Sequence, residues 1–101
     1  MKIEEKKKMA EKLMGWHTED NENPMCFWEY HASFGEDVAI YEIAEWNPDT
    51  NHEQFAEVWN KLSEAQQKIV IIKCANNQLA FIHLMLNDLP KVIKAVMEVV
   101  L

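Results

Sequence analysis

Arginine is missing from this 101-residue sequence, and all ten of its basic residues are lysines. Bidentate hydrogen bonding to phosphate groups and to guanine edges depends on the planar guanidinium group of arginine. The chain also has a formal net charge of −7, so its field repels the phosphate backbone of nucleic acids. We therefore predict no direct nucleic-acid binding. The acidic surplus either keeps the protein in solution or suits a basic partner surface.

Glycine and cysteine are scarce, with two residues of each. Two glycines cannot build a glycine-rich phosphate loop, and the sequence contains neither a GxSxG motif nor a CxxC pair. Cys26 and Cys74 lie far apart in the sequence, and we interpret them as two buried free thiols. A disulfide between them is the less favoured alternative. The sequence predicts no cofactor.

A long apolar run is also missing from the N-terminal stretch, where charges are spread through MKIEEKKKMAEKLMGW. A signal peptide or a membrane anchor needs an uninterrupted apolar segment. We therefore expect a cytoplasmic protein that makes no use of a membrane. A reducing compartment also agrees with two unpaired thiols.

The sequence does contain enough apolar side chains for a core, since 49% of its residues are hydrophobic. A chain of this length buries roughly 60–70% of the surface that its unfolded form exposes. No repeat, linker or shift in composition interrupts the sequence. We predict one domain that spans residues 1–101.

The first half of the chain is predicted to form a helix and a β-hairpin. Apolar residues recur at helical spacing over residues 2–14, and Gly15 is suited to the left-handed conformation that ends many helices. A polar loop is expected at 17–24. The aromatic-rich run 25–34 and the run 38–46 then predict two strands, joined by a turn at Gly35-Glu36-Asp37.

The second half is predicted to repeat this order and to end in a helix. Thr50 or Asn51 can cap a helix that runs to about Gln66. The runs 68–75 and 78–86 are rich in β-branched and large apolar residues, and Asn76-Asn77 between them suits a tight turn. Asp88 and Pro90 then favour the start of a last helix.

The predicted order is therefore α-β-β-α-β-β-α. Two hairpins joined by a helix build a four-stranded, mainly antiparallel sheet, and three helices are available to cover its two faces. The predicted fold class is α+β, a three-layer α/β/α sandwich.

Three short motifs resemble the phage α-β-α sandwich domain family. These are AEKLMGW at 10–16, EWNPDTN at 45–51 followed by an amphipathic helix, and a last helix after a polar break. Pro48 and Thr50 match the family's element before the amphipathic helix, and Trp59 matches the tryptophan within it. The last helix, LPKVIKAVMEVV, departs from an alanine- and cysteine-rich segment found in many relatives. The resemblance implies a sandwich fold and an origin in a bacteriophage or prophage, hence a bacterial host cell. The family carries no established activity, so the resemblance assigns no catalytic residue.

Histidine-centred chemistry has two candidates in the sequence. His52-Glu53 could open a metal-binding helix, but position 56 is alanine where a zinc-binding HExxH motif needs a second histidine, so a helix start is favoured. A cluster of His31, Glu29 and Glu42 is the second candidate, as an acid–base or metal site. His83 is expected to be half-buried on a strand. No metal site and no catalytic residue are predicted.

Two residue classes remain as candidate surfaces. The four tryptophans, at 16, 28, 46 and 59, are explained by core packing, with an exposed stacking platform as the alternative. Acidic residues gather in the middle of the chain and form either a solvated face or a face that binds a partner. This candidate partner face consists of Glu36, Asp37, Glu42, Glu45, Asp49, Glu53 and Glu57.

We predict a small cytoplasmic accessory protein of a phage or prophage that works by binding and not as an enzyme. Its expected partner is a host or phage protein, and the C-terminal helix is a candidate homodimer interface. One alternative is an anti-defence factor that mimics DNA with its acidic face or sequesters a small ligand. The other is a minor metal or hydrolase site around the histidines.

Overall fold

The computed structural model describes residues 1–18 and 25–101 of the chain. The chain divides into two compact units, Met1–Trp46 and Asn47–Leu101. Among the described residues, 61% are helical, and they form five α-helices and one three-stranded antiparallel sheet. The predicted α/β/α sandwich with a four-stranded sheet is therefore wrong. That residues 1–101 form one domain stays a prediction.

The first unit begins with the predicted helix. Helix α1 spans Ile3–Met9 and continues as a π-helical segment over Ala10–Met14. Gly15 follows with φ of +73°, in the left-handed region that glycine adopts without a steric penalty. The predicted helix and its glycine stop are both confirmed.

A three-stranded antiparallel sheet, in the order β1-β2-β3, completes the first unit. Its strands are β1 at His17–Thr18, β2 at Cys26–His31 and β3 at Glu36–Glu42. The predicted hairpin is confirmed, but the turn predicted at Gly35-Glu36-Asp37 is wrong, because Glu36 and Asp37 already pair with His31 and Tyr30 and the turn spans residues 32–35. A 3₁₀ turn at Ile43–Glu45 ends β3 before the predicted residue 46. Strand β1 lies in the predicted polar loop, and residues 19–24 of that loop lie outside the described residues.

Aromatic side chains form the centre of the first unit. The rings of Trp16, Phe27 and Trp46 have pairwise centroid distances of 5.3–5.9 Å, and all three side chains are buried. Lys6 is buried as well, and its Nζ donates a hydrogen bond of 2.9 Å to the carbonyl oxygen of Ile43. This bond partly offsets the cost of removing an ammonium group from water and joins α1 to the 3₁₀ turn.

The second unit consists of four helices among its described residues. They are α2 at His52–Lys61, α3 at Glu64–Cys74, α4 at Gln78–Asn87 and α5 at Leu89–Val100. Asn51 caps α2 by accepting a hydrogen bond from the backbone N–H of Gln54. Asp88 caps α5, and Pro90 lies in its first turn. The predicted starts of these two helices are confirmed.

The predicted strands 68–75 and 78–86 are helices, and their caps explain why. Ser63 and Gln66 form a reciprocal capping box at the start of α3, with hydrogen bonds of 2.9 and 3.1 Å. Asn77 accepts a bond of 2.8 Å from the N–H of Ala80 and so begins α4, where the sequence suggested a turn. The Ser-x-x-Gln signature at 63–66 was present in the sequence and outweighs the β preference of the isoleucines and valine that follow.

Helix α5 supplies the core of the second unit. It contacts α2, α3 and α4, and its residues Leu89, Val92, Ile93, Ala95 and Val96 are buried. The apolar side chains of the last helix are therefore largely used inside the unit. A homodimer through α5 stays a prediction. The residues still accessible for such an interface lie near the C-terminus, from Met97 onward, and are half-buried or exposed.

Candidate functional site

The candidate acidic face is divided between the two units. Glu36, Asp37, Glu42 and Glu45 belong to the first unit, and Asp49, Glu53 and Glu57 belong to the second. Residues 1–46 contain eleven acidic residues and five lysines, whereas residues 47–101 contain six and five. The negative charge is therefore concentrated in the first unit, and the second is almost neutral.

Within the first unit, the acidic side chains of β3 are spread along the strand. Glu36 pairs with His31 at one end of the hairpin, and Glu42 pairs with Cys26 at the other. Asp37 is half-buried, and its Oδ2 lies 3.4 Å from Nε2 of His17. Glu45 is exposed on the 3₁₀ turn that follows. These side chains form an acidic edge and do not converge on one point.

Within the second unit, Glu53 and Glu57 lie one turn apart on the exposed side of α2. Asp49 is half-buried in the loop before this helix. The structure brings the two glutamates together on one helix surface, as the i,i+4 spacing requires. That the seven acidic residues bind a partner stays a prediction.

His31, Glu29 and Glu42, the candidate acid–base or metal cluster, do not come together. His31 lies 3.4 Å from Glu29, but Glu42 pairs at the opposite end of the hairpin. His52 is the first residue of α2, which confirms the helix-start interpretation, and its Nε2 donates a hydrogen bond of 3.0 Å to the carbonyl oxygen of Met85. In residues 1–18 and 25–101, no three His, Cys, Asp or Glu side chains are placed to hold a metal ion.

Core packing explains two of the four tryptophans. Trp16 and Trp46 are buried in the aromatic centre of the first unit. Trp28 and Trp59 are half-buried, and the Trp59 ring contacts those of Phe55 and Phe81, at centroid distances of 6.0 and 5.0 Å. Trp59 therefore joins α2 to α4 inside the second unit, and the interpretation as a stacking platform has no support from it.

Exposed apolar side chains are concentrated on α3 and α4. On α4, Leu79, Ile82 and Leu86 are exposed by 67%, 47% and 64%. Their i, i+3, i+7 spacing places them within an arc of roughly 60° on one side of the helix. We call these three residues the α4 stripe. Buried Phe81 lies on another side of the same helix, so α4 is apolar in two directions and only one of them is covered.

Helix α3 shows the same feature to a smaller extent. Ile69 and Ile72, one turn apart, are exposed by 46% and 77%, while Val70 is fully buried. A helix that is apolar all round is normally covered all round. The runs 68–75 and 78–86 have apolar residues on every face, and this pattern fits an apolar helix as well as the two strands that the sequence predicts.

An open groove of about 650 Å³ lies where the end of α3 meets α4 and the start of α5. Its polar lining includes Lys73, Lys91, Cys74 and His83. His83 is exposed here, so the prediction of a half-buried strand histidine is wrong. The Cys74 Sγ donates a hydrogen bond of 3.0 Å to the carbonyl oxygen of Val70.

Cys74 is not set up as a nucleophile. Desolvation by burial raises the pKa of its thiol above the ordinary value of 9.0, although its backbone hydrogen bond and the charge of Lys91 act in the opposite direction. The thiolate is the reactive form, and a raised pKa lowers its population at neutral pH. The groove therefore presents a protonated thiol beside lysine and histidine, which is not the arrangement of a cysteine hydrolase.

No protein-family model, curated protein or solved structure matches this chain. Among the described residues, no single helix has both the length and the apolar composition needed to cross a bilayer. Helices α3 and α4 meet that requirement only as a pair, and the chain bends by 81° between them.

Proposed function

We propose that this protein works by binding another protein through the apolar surface of α3 and α4, and not by catalysis. The observation that carries this proposal is the α4 stripe, a row of three large side chains that the second unit leaves in contact with water. Contiguous exposed apolar surface on small proteins commonly marks an interaction site. Flat apolar rows at helical spacing are typical of helix recognition.

The setting of this function rests on the sequence. We propose a cytoplasmic accessory protein of a phage or prophage whose partner is encoded by the phage or by its host. The origin depends on the resemblance of residues 10–16 and 45–51 to the phage α-β-α sandwich domain family. The fold that this resemblance implies differs from the fold described above, so the resemblance supports origin alone.

The test is affinity capture from a bacterial lysate with three immobilised proteins. These are the wild type, a Leu79→Glu/Leu86→Glu variant and a Glu53→Gln/Glu57→Gln variant. We expect the wild type and the glutamine variant to retain the same partner in stoichiometric amounts. We expect the stripe variant to retain at least about tenfold less, because a glutamate buried without a counter-charge is costly.

The salt dependence of capture distinguishes this function from the main alternative, binding through an acidic face. Eleven acidic residues in the first unit favour the rival, in which an acidic face mimics DNA or binds a basic host protein. Binding of that kind weakens steeply with ionic strength. Capture that survives 0.5 M salt and depends on the α4 stripe supports the proposal. If salt abolishes capture and the stripe variant still captures the partner, the proposal is contradicted.

A further inference from the structure

We propose that the partner on the α4 stripe is a second copy of this chain, with the two α4 helices antiparallel about a two-fold axis. This inference rests on the proposed function, since it names the protein that the surface binds. The reasons are the charge of α4 and the spacing of its exposed residues.

Charge distinguishes a second copy from other partners. The sequence of α4, QLAFIHLMLN, contains no lysine, aspartate or glutamate, whereas each of the other four α-helices in the described part of the chain contains at least one. In a two-fold interface every side chain close to the axis meets its own copy, so a charge there repels itself. A partner recognised by opposite charge needs charged residues along the stripe. An uncharged stripe suits a self-complementary interface.

The spacing of the stripe fits helix pairing. Residues at i, i+3 and i+7 form the narrow apolar seam by which two helices pack side by side. In an antiparallel pair in which Leu79 of one chain lies opposite Leu86 of the other, positions 82 and 83 flank the axis, so Ile82 lies opposite the partner's His83. Gln78 and Asn87, which are neutral and polar, lie at the two ends of the helix. The seam therefore has Ile82 and the Leu79–Leu86 contacts in its interior, His83 beside the axis, and polar groups at its ends.

The size of the seam sets the expected strength. A standard interface buries about 800 Å² on each partner. Three partly exposed side chains on a ten-residue helix supply less than this, so we expect dissociation constants on the order of micromolar. The dimer should therefore form and dissociate within an accessible concentration range.

Sedimentation velocity and light scattering of the full chain test the proposal. We expect the mass of the wild type to rise from 11.9 kDa towards twice that value with increasing concentration. Leu86→Glu should raise the dissociation constant at least about 100-fold. Phe34→Glu is the matched control, because Phe34 is 71% exposed but lies in the turn between β2 and β3, outside the proposed binding surface. It should leave the dissociation constant within about threefold of the wild-type value.

A double variant tests the antiparallel register. In Leu79→Lys/Leu86→Glu, each glutamate faces the partner chain's new lysine, so the double variant should dimerise at least tenfold more tightly than Leu86→Glu. Far-UV circular dichroism of every variant should match that of the wild type, because positions 79 and 86 are mostly exposed and lie outside the core.

Three outcomes overturn the inference. They are a wild-type mass that stays at 11.9 kDa, a dimer that Phe34→Glu disrupts but Leu86→Glu does not, and a monomer that sediments with phosphatidylcholine vesicles. A wild-type monomer whose stripe variant loses a captured lysate partner overturns only the inference, and the proposed function stands with another protein as partner. A stripe variant that captures that partner as well as the wild type does overturns the proposed function.

Discussion

Cys74 illustrates how the surroundings of one side chain decide what it can do. Its sulfur is half-buried at the end of α3 and hydrogen-bonded to the carbonyl oxygen of Val70. Burial raises the pKa of the thiol because a thiolate loses solvation there. Cys26, in the other unit, is buried at the start of β2. The sequence predicted two buried free thiols; both cysteines are free, but only Cys26 is buried, whereas Cys74 is half-buried and borders a groove.

We predict that iodoacetamide alkylates Cys74 more slowly in the folded protein than in the unfolded chain at pH 8. The raised pKa leaves less thiolate in the folded state, and partial burial restricts access. Peptide mapping by mass spectrometry measures Cys74 separately from Cys26. A folded-state rate equal to the rate in guanidinium chloride would contradict this account of the thiol.

The same shift has a consequence for stability. The folded chain holds the Cys74 proton to a higher pH than the unfolded chain, whose thiol titrates near 9.0. The contribution of this group to stability is therefore fully present below pH 9.0 and is lost as the pH rises through the raised pKa of the folded state.

The helices of the second unit depend on polar residues at their starts. Ser63 and Asn77 each accept a hydrogen bond from a backbone N–H in the first turn of the next helix. Without them, the Ile- and Val-rich segment of α3 and the Leu-rich segment of α4 would have open N–H groups and a weaker preference for helix. These caps separate α2 from α3 and α3 from α4 at Leu62 and at Ala75-Asn76.

We predict that Asn77→Ala lowers the free energy of unfolding by about 1 kcal/mol, because the N–H of Ala80 loses its acceptor. Ser63→Ala should have an effect of similar size. Asn77→Gly should cost only a few tenths of a kcal/mol, since glycine is tolerated at an N-cap. Urea denaturation measures all three. A stabilising Asn77→Gly would instead indicate a tight β-turn at this position and contradict the helix start.

The packing around α5 holds the second unit together. Ile93 is 1% exposed in the centre of that core, whereas Ile72 on α3 is 77% exposed. The same residue type therefore has two different roles within one unit. One contributes to folding, and the other is available to a partner.

We predict that Ile93→Ala lowers the free energy of unfolding by about 2–5 kcal/mol, because it removes buried methyl groups and leaves a cavity. Ile72→Ala is the matched control and should change it by less than about 0.5 kcal/mol. Thermal and urea unfolding at low protein concentration measure both. Equal losses from the two substitutions would show that Ile72 is covered, and would remove α3 from the proposed binding surface.

Much of the structure follows from local sequence signals. The helical spacing of residues 2–14, followed by Gly15, predicts α1 and its end. The aromatic run before Gly35 predicts the hairpin. Asn51 predicts the start of α2, and Asp88 with Pro90 predicts the start of α5. In each case the signal is an apolar period or a residue with a special backbone or capping role, and these act over a few residues.

Local sequence signals do not predict the candidate surface on α3 and α4. Residues 68–75 and 78–86 are apolar on all sides, so they have no helical or alternating period, and their strand and helix preferences nearly balance. Packing against α5 and the caps at Ser63 and Asn77 resolved that balance in favour of helices. Which side of α4 faces inward also depends on contacts with distant residues, because burial belongs to the assembled unit. The α4 stripe is therefore a product of packing, whereas the absence of arginine and the surplus of acid are properties of composition alone.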